Sequence, residues 1–157
     1  FPDFKGRQWL AFFSALLMES PENTRVSALD RLHLSDFERN LVVKCITGLR
    51  AAEHELGGRS GPSNSAIAEF LDGHAPVEAL FWSAATERWR VRRRLLTYLT
   101  RLHSVQPLLA GADLLKLGYA PNPRIGVILR KLRLLRLDEE LRTREEEIEY
   151  VLNHFPL

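Results

Sequence analysis

The stretch that most narrows what this chain can fold into begins at Ser35-Asp36-Phe37-Glu38. A serine followed three residues later by a glutamate is a capping box: the hydroxyl meets a free backbone N–H, and the carboxylate reaches back to the cap. Behind it Phe37, Leu41, Cys45, Leu49, Ala52 and Leu56 recur at three- and four-residue intervals. That spacing puts one apolar stripe down a long helix, which should stop near Gly57-Gly58.

The same period runs through most of the chain. Residues 7–18 read as a short apolar helix, with Trp9, Phe12, Phe13, Leu16 and Leu17 at helical spacing. Ser20-Pro21-Glu22 reads as an N-cap with proline in the first helical position, opening a helix to about Leu32. Residues 57–65, GGRSGPSNS, are rich in Gly, Ser and Pro and mark a flexible loop or sub-domain boundary. Helices are expected at 64–72, 76–86, 87–103, 111–117, 123–136 and 143–153. The last opens on a second capping box, Thr143 to Glu146. No alternating strand pattern stands out. The fold class is therefore all-α: a multi-helix domain with a C-terminal helix–loop–helix tail. Its expected parts are an N-terminal helical part at 1–58 and a body at 64–157, with a basic helix at 87–103 and the tail at 107–157.

Composition excludes several classes. The 157 residues are 45% apolar and 27% charged, as in an ordinary globular protein. No apolar run reaches the roughly 18 to 20 residues of a membrane-spanning helix, so no membrane partner is expected. The opening Phe1-Pro2-Asp3-Phe4-Lys5 has no signal-peptide zones and no initiator Met, which suits a piece of a longer chain. One cysteine, Cys45, forms no internal disulfide and no metal cluster. It falls on the apolar stripe and is expected in the core, in a reducing, cytoplasmic protein.

Catalytic patterns fail one by one. Glu53-His54-Glu55 lacks a second histidine four residues on, so it is no zinc-protease helix. Gly58-Arg59-Ser60-Gly61-Pro62 misses the nucleophile elbow at its last position. No P-loop, GxGxxG or Asp-x-Asp occurs, and two-metal nucleotidyl transfer needs such paired carboxylates. The chain alone is not expected to be an enzyme, and no metal or catalytic residue is assigned.

A net charge of +2 hides strong segregation. Residues 88–101 hold six arginines and no acid, 124–136 hold four arginines and Lys131 and no acid, and 138–149 hold seven acids. On a helical wheel Val91, Leu95, Leu99 and Leu102 share one arc, and Arg90, Arg94 and Arg101 share the opposite one, with Arg93 to its side. Arg88 and Arg92 fall nearer the apolar arc and should snorkel or pair with acids. Three exposed guanidinium groups could follow a phosphate backbone; the bland alternative is a solvated face paired with the acidic C-terminal element. The tryptophans Trp82 and Trp89 read as core or boundary packing rather than a base-stacking platform.

The tail is more specific. Gly111 to Gly118 reads as a short helix stopped by glycine, and Tyr119-Ala120-Pro121-Asn122-Pro123 as a rigid connector. Asn122 is suited to cap the next helix and Pro123 to its first position. Gly126 allows another backbone to approach. Arg124, Arg130 and Lys131 add positive charge to a helix that receives phosphate oxygens at its N-terminus.

PLLAGADLLKLGYAPNPRIGVILRKL, followed by LDEELRTREEE, resembles the C-terminal signature of bacterial tRNA nucleotidyltransferases (CCA-adding enzymes) and related poly(A) polymerases. Gly111, Asp113, Leu114, Leu117, Gly118, Pro121, Pro123, Gly126, Ile128 and Leu129 carry the match, and Asp138, Thr143 and Glu145 continue it. The pattern covers about 40 residues; upstream, the Arg-rich helix resembles the family's helical body more weakly. The resemblance implies a body-and-tail region that holds tRNA or another structured RNA, with contacts at Arg90, Arg94, Arg101, Arg124, Arg130 and Lys131. The motif residues Gly111, Asp113, Gly118, Pro121, Asn122, Pro123 and Gly126 shape the tail. The family's Mg and CTP/ATP sit at a head domain whose motifs are not in this chain, so no cofactor is expected here. Two positions depart from the family: Asn122 and Glu139 stand where glycine is usual. Asn tolerates left-handed backbone angles, whereas Glu139 does so less easily, so its turn is expected to differ or to face away from RNA. An alternative from another class is a protein-interaction or homodimerisation module. There the basic face meets acidic 138–149 of a neighbour, and Val127, Leu134 and Leu137 form a second apolar stripe.

Overall fold

The computed structural model describes residues 8–156. The helices are α1 (Gln8–Met18), α2 (Glu22–Arg31), α3 (Asp36–Glu55), α4 (Asn64–Leu71), α5 (Pro76–Ala85), α6 (Trp89–Thr100), α7 (Gly111–Lys116), α8 (Arg124–Leu137) and α9 (Arg144–His154). A 3-10 turn, Leu102–Ser104, follows α6. No strand occurs among the described residues, so the all-α expectation is met. The expected start of the first helix at Arg7 lies outside the described residues.

Both capping boxes form as the spacing dictates. Glu38 N donates to Ser35 Oγ at 3.3 Å while Ser35 N donates to Glu38 Oε2 at 3.0 Å. Glu146 N donates to Thr143 Oγ1 at 3.2 Å, and Thr143 N donates to Glu146 Oε2 at 3.0 Å. The second start differs from expectation: Pro21 is extended (ψ 152°) at the cap of α2, and Ser20 does not cap it. Ser20 Oγ donates backwards to Leu16 O at 3.4 Å, and its N–H to Leu17 O, because the serine completes the end of α1 instead.

Three apolar clusters hold the helices together. The largest joins Cys45, Ala52 and Leu56 of the α3 stripe to Ile67 and Leu71 of α4, Phe81 and Trp82 of α5, and Val91 and Leu95 of α6. Trp82 is fully buried and its indole N–H donates to Cys45 O at 2.8 Å, which fixes α5 against α3. Burial pushes the Cys45 thiol up to about 12, so it is an inert core residue, as the stripe implied. Phe37, at the top of the stripe, is 54% exposed. A second cluster gathers Leu10, Leu17, Leu29, Leu41, Val42 and Val77. The third belongs to the tail: Leu109, Leu114, Tyr119, Ile128, Leu132 and Val151.

The tail helices end in the same way. Gly118 takes φ +98°, with its N–H on Leu115 O and that of Tyr119 on Leu114 O, the Schellman pattern that stops α7. At the end of α8, Glu139 N donates to Arg136 O and Glu140 N to Leu135 O, and Glu139 takes φ +62°. Of the two expectations for this turn, the first is corrected: a glutamate occupies the left-handed position, at a cost, and the Schellman stop forms.

Candidate nucleic-acid interface

The arginines of α6 divide by what they touch. Arg88 Nε lies 3.7 Å from Glu53 Oε2. Arg92 donates to Ser83 O at 3.0 Å and Thr86 O at 2.6 Å, tying down the end of α5. Both behave as the helical wheel suggested. Arg94 does not. Its side chain is half-buried, and its guanidinium donates to Leu56 O and, at 3.1 Å, to Gly58 O. These carbonyls end α3, so Arg94 is a strut beneath the 57–62 loop rather than a member of the exposed arc. Gly61 takes φ +73° directly over it; a Cβ there would lie 2.6 Å from Arg94 Nη2. The far end of the loop is fixed too: Ser63 caps α4, and Ser65 N donates to Asp138 Oδ1 at 2.9 Å.

Between this loop and α6 lies a cleft of about 380 Å³. Its walls include Arg59, Gly61, Trp89, Arg90, Arg93 and Arg94, and no acidic residue lines it. Arg59, Arg90 and Arg93 are exposed and have no ion-pair partner among the described residues. Trp89 is 63% exposed, and Arg90 Cζ sits 5.5 Å from its ring centroid, a cation–π contact. The two tryptophans thus part company: Trp82 is core, and Trp89 is a surface ring beside unpaired guanidinium groups.

The tail spends its positive charge internally. Arg130 pairs with Glu69 at 3.1 Å, and Arg101, at the end of α6, pairs with the tail's Glu139 at 3.1 Å. Arg133 holds Asp72 with two nitrogens and donates to Val105 O at 2.9 Å. Arg144 lies 2.7 Å from Asp113. Glu147 is fully buried and accepts from Leu108 N at 2.9 Å and Leu109 N at 2.8 Å, with Arg136 Nη1 at 3.6 Å. Asp113 Oδ2 accepts the N–H of Ala110, and that bond, with Arg144 beside it, holds its carboxyl below the usual range. Arg124 and Lys131 remain exposed and unpaired among the described residues.

Several residue-level expectations change here. The acidic run 138–149 is largely engaged within the chain, at Asp138, Glu139, Glu146 and Glu147. Leu137 is 2% exposed in the main core and Leu134 packs against it, so of the second apolar stripe only Val127 stands clear. Among the described residues, no neighbour outside its own helix stands within 4 Å of where a Cβ of Gly126 would be. Asn122 and Pro123 act as expected: Asn122 Oδ1 accepts from Arg124 N at 2.8 Å, and Pro123 has helical angles. Arg59 and Trp89 were missed as site residues. Their signals, a GGRSGP loop and a tryptophan abutting an arginine run, point to a shared cleft only once α3 and α6 are packed.

The chain is similar to the A-adding tRNA nucleotidyltransferase of Geobacter sulfurreducens, at 28% identity over 148 residues. The match covers 92% of this chain but 17% of that relative. The resemblance carried by the tail motif therefore extends through the body as well. No protein-family model matches the chain. No solved structure matches it.

Proposed function

We propose that this chain is the RNA-holding body and tail of a protein resembling the tRNA nucleotidyltransferases. It grips tRNA or another structured RNA by its backbone while a separate catalytic head extends the 3′ end. The similarity along 92% of the chain to an A-adding tRNA nucleotidyltransferase carries this reading. The charge distribution supports it: Arg59, Arg90, Arg93, Arg124 and Lys131 hold no carboxylate among the described residues and are free to take phosphate oxygens. Guanidinium groups suit that task, since their planar fork matches a phosphate with two parallel N–H bonds. Arg101 and Arg130 are already paired with Glu139 and Glu69, so a phosphate would have to displace a carboxylate there. Arg94 serves indirectly, by holding the loop that carries Arg59.

Mg and CTP or ATP belong to the head in this reading. Among the described residues no three His, Cys, Asp or Glu side chains gather as a ligand set. The side chains of this region hold and orient the RNA, and the transfer chemistry falls to the head.

The test is binding of the chain to a tRNA transcript as salt rises from about 50 to about 300 mM. The expected Kd weakens linearly in log–log form, and similarly for RNAs of different sequence. Absence of binding at the lowest salt by folded protein, or strong dependence on base identity, overturns the proposal.

A further inference from the structure

We infer that the cleft between the 57–62 loop and α6 seats one unpaired nucleotide of an RNA strand, with its phosphate among Arg59, Arg90 and Arg93 and its base against the Trp89–Arg90 pair. The inference rests on the RNA-binding reading and adds to it a kind of site. Backbone gripping alone needs only charge spread along a surface. This cleft has more.

Its volume of about 380 Å³ falls in the range of small-ligand pockets, roughly 300–1,000 Å³. Arginines gather on its walls without a carboxylate, so their mutual repulsion is offset only when an anion enters. The wall is built before any ligand arrives. Arg94 is fixed on Leu56 O and Gly58 O, and Gly61 lies against it where a side chain would collide. Ser65, held by Asp138, anchors the loop's exit into α4. The cleft also has an aromatic wall. α6 buries Val91, Leu95 and Tyr98 yet leaves Trp89 63% exposed, with the Arg90 guanidinium over its ring. An indole and a guanidinium plane are the two surfaces on which unpaired bases stack. A base within a duplex is already stacked on its neighbours and cannot enter, so the ligand is a single-stranded or looped nucleotide.

The experiment measures binding of a short single-stranded RNA to the 157-residue chain by anisotropy and by tryptophan quenching. Its competitors are inorganic phosphate, the same RNA with abasic sites, a duplex of the same sequence, and poly-glutamate. Circular dichroism confirms that each variant is folded. The expected result is quenching by the single strand that disappears in Trp89→Phe. Trp89→Ala weakens binding by at least about fivefold, the lower end of base–aromatic stacking. The Arg59→Ala/Arg93→Ala double variant lowers the salt slope by about one unit, the one phosphate that these arginines hold. Abasic RNA or poly-glutamate binding as well as the intact strand overturns the inference and leaves a plain anion site. The same holds if Trp89→Ala changes nothing. If tRNA binds but the single strand does not, the inference falls and the RNA-binding reading stands. If neither binds, both fall.

Discussion

The body and the tail carry similar stretches of basic sequence and divide them differently between internal contacts and open surface. Six arginines lie in 88–101 and four, with Lys131, in 124–136. In the body, Arg92 and Arg94 are spent on backbone carbonyls, and Arg90, Arg93 and the loop residue Arg59 are left around a cleft without a carboxylate. In the tail, Arg130, Arg133, Arg136 and Arg144 each meet an acid, and a fully buried glutamate organises the connection between α7 and α9. Local charge density therefore does not measure what a segment offers a partner. Availability depends on whether the acids of the fold have already claimed the cations.

The contrast is broken most severely at Glu147. Its carboxylate satisfies the N–H groups of Leu108 and Leu109 inside the tail, so Glu147→Ala strands them together with Arg136. The expected loss is about 3–5 kcal/mol, read by denaturant titration, with limited proteolysis entering first between α7 and α9. Arg94→Ala tests the strut of the body. Leu56 O and Gly58 O lose their donors, for an expected loss of about 1–3 kcal/mol, and the cleft loses its floor, so RNA affinity falls although Arg94 itself is not a free cation.

Glu139→Gly sharpens the comparison from the other side. The left-handed angle of Glu139 costs about 1–2 kcal/mol, and glycine removes that cost while adding about 0.5–1 kcal/mol of chain entropy. A net gain of about 0.5 kcal/mol in thermal unfolding is expected, and Arg101, released from its partner, strengthens RNA binding. The smallest effect concerns acid. Backbone N–H donors hold the carboxyls of Asp113 and Glu146 below their usual range. A depressed carboxyl stabilises the fold above its unfolded value, near pH 4, and loses that stabilisation as pH falls through the folded value. Hydrogen exchange between about pH 6 and about pH 3 should therefore show the starts of α7 and α9, where Asp113 and Glu146 accept backbone N–H groups, opening as pH falls.

Much of the fold was legible because it is local. Capping boxes at Ser35 and Thr143, the Gly118 stop and the Asn122-Pro123 start all act within four residues, and each forms. Ser20 misled because its hydroxyl had a competing acceptor in the preceding helix. The site was less legible because it is made across distance. A wheel placed Arg94 on the exposed arc, but the carbonyls that claim it lie 36 and 38 residues away. Leu137 looked like a second stripe until α4 and α6 were packed against it. Arg59 and Trp89 line one cleft although they stand on a loop and a helix far apart in sequence.

The most direct test of this contrast compares two triple variants in tRNA binding across the same salt range. One removes the body cations, Arg59→Ala/Arg90→Ala/Arg93→Ala, and the other the tail's paired cations, Arg130→Ala/Arg133→Ala/Arg144→Ala. The body variant is expected to lower the salt slope by about one unit, the phosphate seated among its three arginines, while the tail variant leaves the slope nearly unchanged and chiefly costs stability. Equal slopes for the two variants, or a larger loss from the tail, would contradict the division of labour between body and tail.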